Sequence, residues 1–193
     1  MEVPACRQSD YHRTILELLF HTNTDRWDCY IMFPVTTREI PAQTLLTEQA
    51  YVDAPNRSDW IVQTGIRQQA AAAGLGGQVD ASIVMYHGDV SKDSDGPVES
   101  ALPIDIERAK DTTLRTRVEP AHLEAFVTIT RAHIRYPDIL SAYDSIRIWI
   151  DENDVEQAGS PREYYFADPS TGPDEEPVAH VAFPIRQPAS PHT

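Results

Sequence analysis

Three short blocks of this chain occur twice, in the same order and at nearly the same separation. Residues 39–42 are similar to 118–121, residues 86–89 to 165–168, and residues 96–104 to 176–185, each about 80 positions further on. Chance alignment among 15 prolines would not preserve both order and spacing. The pattern therefore indicates an internal duplication. One copy alone has too little apolar surface to bury, so we expect the copies to pack together around a shared cleft.

Composition indicates a soluble globular protein. Of the 193 residues, 41% are hydrophobic and 24% are charged, which suits one compact domain or two fused halves. No apolar stretch is long enough to span a bilayer, and Glu2, Arg7 and Asp10 lie where a secretory signal would have its apolar core. We therefore expect a cytoplasmic protein.

The net charge of −14 argues against direct binding to DNA or RNA, because phosphate backbones repel acidic surfaces. Two interpretations of this acidity stay open: a solvated, self-repelling surface, or an acidic cavity suited to cations. Cys6 and Cys29 are too few for a disulfide framework or a four-ligand zinc site. The histidines are scattered and form no His-Glu-x-x-His pattern, so we predict neither a metal nor a cofactor.

The first copy is predicted to fold as strand, helix, strand, strand. Its predicted strands cover residues 43–52, 81–86 and 98–104. Asn56 or Ser58 can cap the helix by accepting hydrogen bonds from free backbone amides, and the glycines from Gly74 onward end it. The apolar face expected to pack on the sheet consists of Val62, Ile66, Ala70 and Ala73.

The second copy repeats this order. Its predicted strands cover residues 123–131, 162–166 and 178–185, and a polar loop covers 169–177. The helix after Pro137 has an apolar face of Ile139, Tyr143, Ile146 and Ile150.

Two terminal segments lie outside the copies. Residues 1–37 form an N-terminal extension with a candidate amphipathic helix at 11–20 and an apolar stretch at 29–33 suited to an edge strand. This extension is too short and too weakly basic for a helix-turn-helix that reads the major groove. The proline-rich tail, residues 188–193, is predicted to be disordered.

Motifs in both copies are similar to those of a known family. The second copy carries Tyr-Pro at 136–137, Trp-Ile at 149–150, Gly-Ser-Pro-Arg-Glu-Tyr-Tyr-Phe-Ala-Asp-Pro at 159–169 and Phe-Pro-Ile at 183–185. The first copy carries Asp-Gly-Pro-Val-Glu at 95–99 and Leu-Pro-Ile at 102–104. With the duplication, these motifs make residues 38–187 resemble the GyrI-like domain, also called the bacterial transcription activator effector-binding domain.

The resemblance implies an α+β fold: a pseudo-two-fold pair of strand-helix-strand-strand units, about 38–106 and 113–187, with curved antiparallel sheets around a central cavity. Such cavities have aromatic walls, often contain a glutamate, and bind lipophilic, frequently cationic molecules in a multidrug-like manner. Members of the family are sensor domains fused to DNA-binding domains or stand-alone proteins. A few relatives hydrolyse strained cyclopropane toxins, and one member inhibits DNA gyrase.

A pocket for a lipophilic cation needs apolar area, aromatic faces and a carboxylate that no other cation neutralises. Glu99 is our first candidate for that carboxylate, because it interrupts an otherwise apolar strand; a solvent-facing position is the alternative. Its repeat mate is His180, where some family members carry the acid. His180 is a candidate lining group or an ordinary strand side chain.

Tyr86 and Tyr165 occupy equivalent strands and are expected to line the cavity. If Tyr165 points inward, the two-residue period of a strand places Glu163 on the same side and sends Tyr164 and Phe166 towards the helices; the reverse register stays open. The other candidate lining residues are Trp60, Trp149, Tyr136, Tyr143 and Phe183, although aromatic residues more often belong to the core.

We expect a stand-alone protein that binds bulky aromatic or lipophilic cationic compounds without chemistry. The alternative is a hydrolase of strained rings, in which Glu99 or Glu163 acts as general base and Tyr165 assists. A third hypothesis is that the protein is a regulator whose acidic surface masks a basic patch on a transcription regulator or gyrase. No serine lies in a Gly-x-Ser-x-Gly elbow, so nucleophilic serine chemistry is not predicted.

Overall fold

The computed structural model describes residues 31–74, 81–88 and 94–187, which belong to one compact unit that begins at Ile31. The strands are β1 (Thr36–Ile40), β2 (Gln43–Val52), β3 (Ser82–Tyr86), β4 (Gly96–Ile104), β5 (Thr116–Glu119), β6 (His122–Thr130), β7 (Glu156–Gln157), β8 (Arg162–Tyr165) and β9 (Pro177–Arg186); the helices are α1 (Arg57–Gly74) and α2 (Ile139–Glu152). Neither of these two helices is long and apolar enough to cross a membrane. The predicted helix at 11–20, residues 29–30 and the tail lie outside the described residues.

The nine described strands form one antiparallel sheet with the order β1-β6-β9-β8-β3-β4-β2-β5, and β7 adds to β9. The two copies meet where β3 pairs with β8. Moving outward from this pair, β4 and β2 follow on one side and their repeat mates β9 and β6 on the other. The order is symmetric, so the expected α+β fold with a pseudo-two-fold duplication is confirmed.

Short strands at the two ends of the sheet are exchanged between the copies. β1, the leading strand of the first copy, pairs with β6 of the second, and β5, the leading strand of the second copy, pairs with β2 of the first. The repeat covers these positions, but neither strand is predicted from the sequence. The edge strand predicted at 29–33 is wrong for residues 31–33, which have no strand structure.

Strand register defines two faces of the sheet. Directly paired residues share a face, so the row Ser100, Val84, Glu163 and Val181 lies on one side. Gln68 of α1 bonds to Ser100, and Val181 belongs to the apolar cluster that includes α2, so both helices cover this side, the helix face. The neighbouring row Glu99, Met85, Arg162 and Ala182 lies on the other side, the opposite face.

The predicted buried face is correct for α2 and wrong for α1. The face predicted for α2 is confirmed, because Ile139, Tyr143, Ile146 and Ile150 all belong to one core cluster. The face predicted for α1 is wrong: Val62 and Ile66 are 56% and 55% exposed.

Polar anchoring decides which side of α1 is buried. Gln68 donates to the Ser100 carbonyl oxygen and accepts from the Ser100 hydroxyl, both at 2.8 Å. Thr64 and Ala72, one turn to either side of Gln68, are buried with it. The apolar pattern did not reveal these contacts, because burial of a satisfied amide does not follow from hydrophobic spacing.

The loop between β8 and β9 is held by a buried arginine. Arg131 donates from Nη1 to the Pro173 carbonyl at 2.5 Å and to Glu176 at 2.8 Å, and from Nη2 to the Asp168 carbonyl at 2.9 Å. Gly172 lies beside the Arg131 guanidinium and has a φ of 119°, a backbone conformation that favours glycine. A Cβ at Gly172 would lie 2.6 Å from Arg131 Nη1.

We expect Gly172→Ala to lower the free energy of unfolding by about 1–2 kcal/mol, because the new Cβ adds backbone strain and displaces Arg131. Gly65→Ala is the control: nothing lies within 4 Å of its added Cβ, and alanine is the better helix former by about 1 kcal/mol. Urea denaturation followed by circular dichroism measures both. Equal stabilities of the two variants would contradict the prediction.

Candidate functional site

A buried glutamate, Glu163, lies at the centre of the helix face. It is carried by β8, where the two copies meet, and is 5% exposed. Three tyrosine hydroxyls donate to its carboxylate: Tyr143 to Oε1 at 2.7 Å, and Tyr165 and Tyr86 to Oε2 at 2.6 and 3.1 Å. The four side chains come from β8, β3 and α2, so both copies contribute to the cluster.

The tyrosines of this cluster are neutral hydrogen-bond donors. Burial, and next the Glu163 carboxylate, raises the pKa of Tyr86, Tyr143 and Tyr165 well above the usual value for tyrosine. The charge of Arg57 lowers the pKa of Tyr86 and Tyr165 by a smaller amount. Neutral donors satisfy a carboxylate without cancelling its charge.

Glu163 differs from the buried glutamates of the opposite face. Glu99, Glu119 and Glu124 each pair with an arginine at 2.7–3.0 Å. Within residues 31–74, 81–88 and 94–187, Glu163 takes part in no salt bridge. The tyrosine cluster therefore holds a buried carboxylate that pairs with hydroxyls instead of with an arginine.

A half-open cavity of about 600 Å³ adjoins the cluster. One wall is α1, which presents Gly65 and the exposed apolar residues Val62 and Ile66. The facing wall is the end of β8 and the loop after it, residues 165–169, and the first residues of the β3 segment, Ala81 and Ser82, also line the cavity. Tyr165 belongs to this wall and also bonds to Glu163, so it connects the cavity with the carboxylate.

The structure brings together five of the residues expected from sequence: Glu163, Tyr86, Tyr143, Tyr165 and Trp60. Trp60 packs with Tyr86 and Tyr165 against an apolar cluster below α1. The expectation that Tyr165 and Glu163 share a side is met, but their side is the helix face. Tyr164 points away from the helices instead of towards them, and its hydroxyl bonds to Glu124 at 2.6 Å.

Glu99 lies elsewhere. It is 1% exposed, but the pairing of β4 with β3 places it on the opposite face, and Arg117 Nε donates to its Oε1 at 2.7 Å. Burial would raise the pKa of Glu99, but hydrogen bonds led by those of Arg117, Thr47 and Gln49 lower it to about 2. Glu99 is therefore not the un-neutralised carboxylate that the sequence analysis expected.

The other predicted lining residues do not contact the Glu163 carboxylate. Phe183 is fully buried in the core, where its ring contacts Tyr143, and Trp149 packs against the same core. Tyr136 is 58% exposed. His180 lies on the opposite face between the rings of Phe126 and Phe166, and burial together with the charge of Arg38 lowers its pKa to about 4.

The α1 wall of the cavity is not predicted from the sequence. The spacing of Val62 and Ile66 predicts a core face, and Gly65 carries no side chain that would contribute to an apolar pattern. A glycine inside a helix lowers its stability, so Gly65 is unexpected in α1. Its presence is the sequence signal that could have indicated an open space beside this helix.

Comparison with known proteins bears on the fold. No family model and no curated protein matches the sequence. Among solved structures, the C-terminal domain of EcmrR matches with a TM-score of 0.63 at 19% identity, covering 81% of this chain and 99% of that domain. SAV2435 bound to tetraphenylphosphonium matches with 0.52 at 11% identity, covering 79% and 94%. A hydrolase from Listeria innocua matches with 0.51 at 10% identity, covering 80% and 93%. The chain thus has the GyrI-like fold, with a curled antiparallel sheet.

Because Glu99 pairs with Arg117, the free energy of unfolding is expected to depend on pH. Because the folded-state pKa of Glu99 is depressed, its contribution, on the order of 3 kcal/mol, is present above about pH 4.5 and lost as the pH falls towards 2. We expect Arg117→Gln to lower stability at pH 7 and to reduce the further loss between pH 4.5 and 2. Urea denaturation across this range measures both effects.

Arg186→Gln, which removes an exposed ion pair with Glu156, is the control and should leave the acid loss unchanged. An acid loss in Arg117→Gln as large as in the parent protein would contradict the assignment.

Proposed function

We propose that this domain binds lipophilic aromatic cations in the cavity beside α1 and that Glu163 selects them by charge. The observation that carries the proposal is the buried Glu163 carboxylate, held by three neutral hydroxyls next to an apolar cavity. A buried charge is costly unless it is compensated, so a cation that reaches this position gains more than it would in water.

The size of the cavity suits a drug-sized molecule. Its volume of about 600 Å³ lies within the range of about 300–1,000 Å³ typical of small-molecule sites. Val62 and Ile66 offer apolar area at roughly 25 cal/mol per Å² buried, and Tyr165 offers an aromatic face. From these contacts and the Glu163 carboxylate we expect micromolar affinity, which corresponds to about −8 kcal/mol.

Tyr165 is placed to control access to the carboxylate. Its ring lines the cavity, while its hydroxyl occupies Glu163 Oε2 at 2.6 Å. A bound cation can stack on the Tyr165 ring, where it is attracted electrostatically by the Glu163 carboxylate behind the ring. A ligand that displaces the Tyr165 hydroxyl meets Oε2 directly, and Tyr86 and Tyr143 still hold the carboxylate in place.

The same groups define the enzymatic alternative. A glutamate with tyrosine hydroxyls beside it can act as a general base toward water, as ring opening of a cyclopropanoid toxin requires. Product release from such a compound, lost in Glu163→Gln, would identify the domain as a hydrolase instead of a binding protein.

The charge role of Glu163 is tested with tetraphenylphosphonium, the ligand in the SAV2435 structure. We expect micromolar binding by isothermal titration calorimetry and at least tenfold weaker binding by Glu163→Gln, because the attraction of the carboxylate is removed. Affinity for neutral triphenylphosphine oxide should change much less in this variant.

Glu48→Gln is the matched control, since it removes one negative charge from the half-exposed pair with Arg67. It should bind as the parent protein does. If Glu163→Gln keeps the preference for the cation over the neutral compound, Glu163 does not select by charge.

The location of the site is tested by filling the cavity. Gly65→Leu places a side chain into the cavity from α1, so binding of tetraphenylphosphonium should weaken at least tenfold. Ala70→Leu adds similar bulk at an exposed position of α1 outside the cavity lining and should bind normally. Equal affinities of the two variants would place the ligand elsewhere.

A further inference from the structure

We propose that Ser160, His87 and Glu99 form a nucleophile–base–carboxylate triad that transfers acyl groups from small activated esters to water. The three residues lie on the side of the sheet away from the tyrosine cluster. This activity is therefore independent of the proposed ligand cavity.

The geometry is that of a hydrogen-bonded chain. Ser160 Oγ lies 2.8 Å from His87 Nδ1, and His87 Nε2 lies 2.7 Å from Glu99 Oε2. Both distances fall within the reach that nucleophile, base and orienting carboxylate require. Compared with the usual serine triad, the two ring nitrogens exchange roles.

The hydrogen bonds of Glu99 fix the tautomer of His87. A carboxylate only accepts hydrogen bonds, so His87 Nε2 must carry a proton to donate to Glu99 Oε2. In the neutral ring Nδ1 then has the free lone pair, and the Ser160 hydroxyl donates to it. This is the proton arrangement that a general base needs before it activates a serine.

Glu99 is a positioning residue that cannot swing away from His87. The Arg117 Nε and Gln49 Nε2 atoms donate to it at 2.7 and 2.9 Å, and the Thr47 hydroxyl also donates. Because Glu99 is buried and held by several donors, it presents Oε2 to the imidazole in a fixed direction.

The Ser160 segment is also held. The Tyr86 amide donates to the Pro161 carbonyl at 3.0 Å, and the Ala158 amide donates to the Pro184 carbonyl at 2.7 Å. These bonds attach the segment to β3 and β9 on either side of the serine. The position of Ser160 beside His87 therefore does not depend on the side-chain bond alone.

A substrate has access to the serine and the imidazole. The His87 side chain is 31% exposed, and Ser160 is half-buried. The backbone amides of Gly159 and Ser160 donate to no residue of the described part of the chain, so they are available to an oxyanion beside Ser160 Oγ.

The reaction balances with water as co-reactant. Ser160 Oγ forms a bond to the ester carbonyl carbon while His87 Nδ1 takes the hydroxyl proton, and the same proton passes to the departing alkoxide or phenoxide as the ester C–O bond breaks. Water then attacks the acyl-serine with His87 as base, and the carboxylic acid leaves as Ser160 regains its proton.

The experiment uses the full chain with a fluorophosphonate probe, which reacts with activated serines, and peptide mapping by mass spectrometry. Labelling is expected at Ser160. Ser160→Ala should abolish it, and His87→Gln should slow it at least 100-fold, the usual contribution of a general base. The parent protein should also hydrolyse p-nitrophenyl acetate, and Ser160→Ala should not.

Ser170 provides the matched control, because its hydroxyl donates to the Asp168 carboxylate at 2.6 Å. Ser170→Ala should label and hydrolyse as the parent does. Ser160→Cys tests the base separately: its reaction with iodoacetamide should be faster when His87 is present than in the double variant with His87→Gln. Labelling of Ser160 no faster than of Ser170, or labelling that does not depend on His87, would overturn the proposal.

Discussion

The antiparallel pairing of β3 with β8 joins the two copies and sets the side on which each functional group lies. Val84 lies opposite Glu163, and Met85 lies opposite Arg162. A shift of one residue would exchange the faces and bring Arg162 under the helices in place of Glu163. The cluster of three tyrosines and the arginine-rich opposite face both depend on this register.

The sheet solves the same problem of burying glutamates in two ways. On the opposite face, Glu99 and Glu124 are paired with arginines, which offsets part of the cost of burial and leaves little charge for a ligand. On the helix face, Glu163 receives hydrogen bonds from hydroxyls that carry no charge. A carboxylate of the second kind is satisfied in structure and still attractive to a cation, which fits a recognition role better than a stabilising one.

The duplication was enough to predict the pairing of strand-helix-strand-strand units, because repeat mates must occupy equivalent places in a symmetric sheet. The same period placed Glu163 and Tyr165 on one side. The period does not say which side faces the helices, so Tyr164 was assigned wrongly. Glu99 and Glu163 look alike in sequence; what separates them is Arg117, carried by a strand that was not predicted and that reaches Glu99 through tertiary pairing.

The contacts of the proposed triad could not be predicted from the sequence either. Ser160 and His87 are far apart in the chain and follow no local motif, so spacing alone gave no sign of serine chemistry. Their contact arises where the segment before β8 passes the end of β3, again at the junction of the copies. Groups from both copies meet there on each side of the sheet.

The exchange of β1 and β5 has a consequence for how such a chain could have evolved. The leading strand of each copy pairs with the other copy, so two separate proteins would lack the strands that cover the outer edges of β6 and β2. The unpaired backbone N–H and C=O groups of these edges would favour self-association. Once the strands had crossed over, gene fission was no longer a neutral step, and the fused arrangement became difficult to reverse.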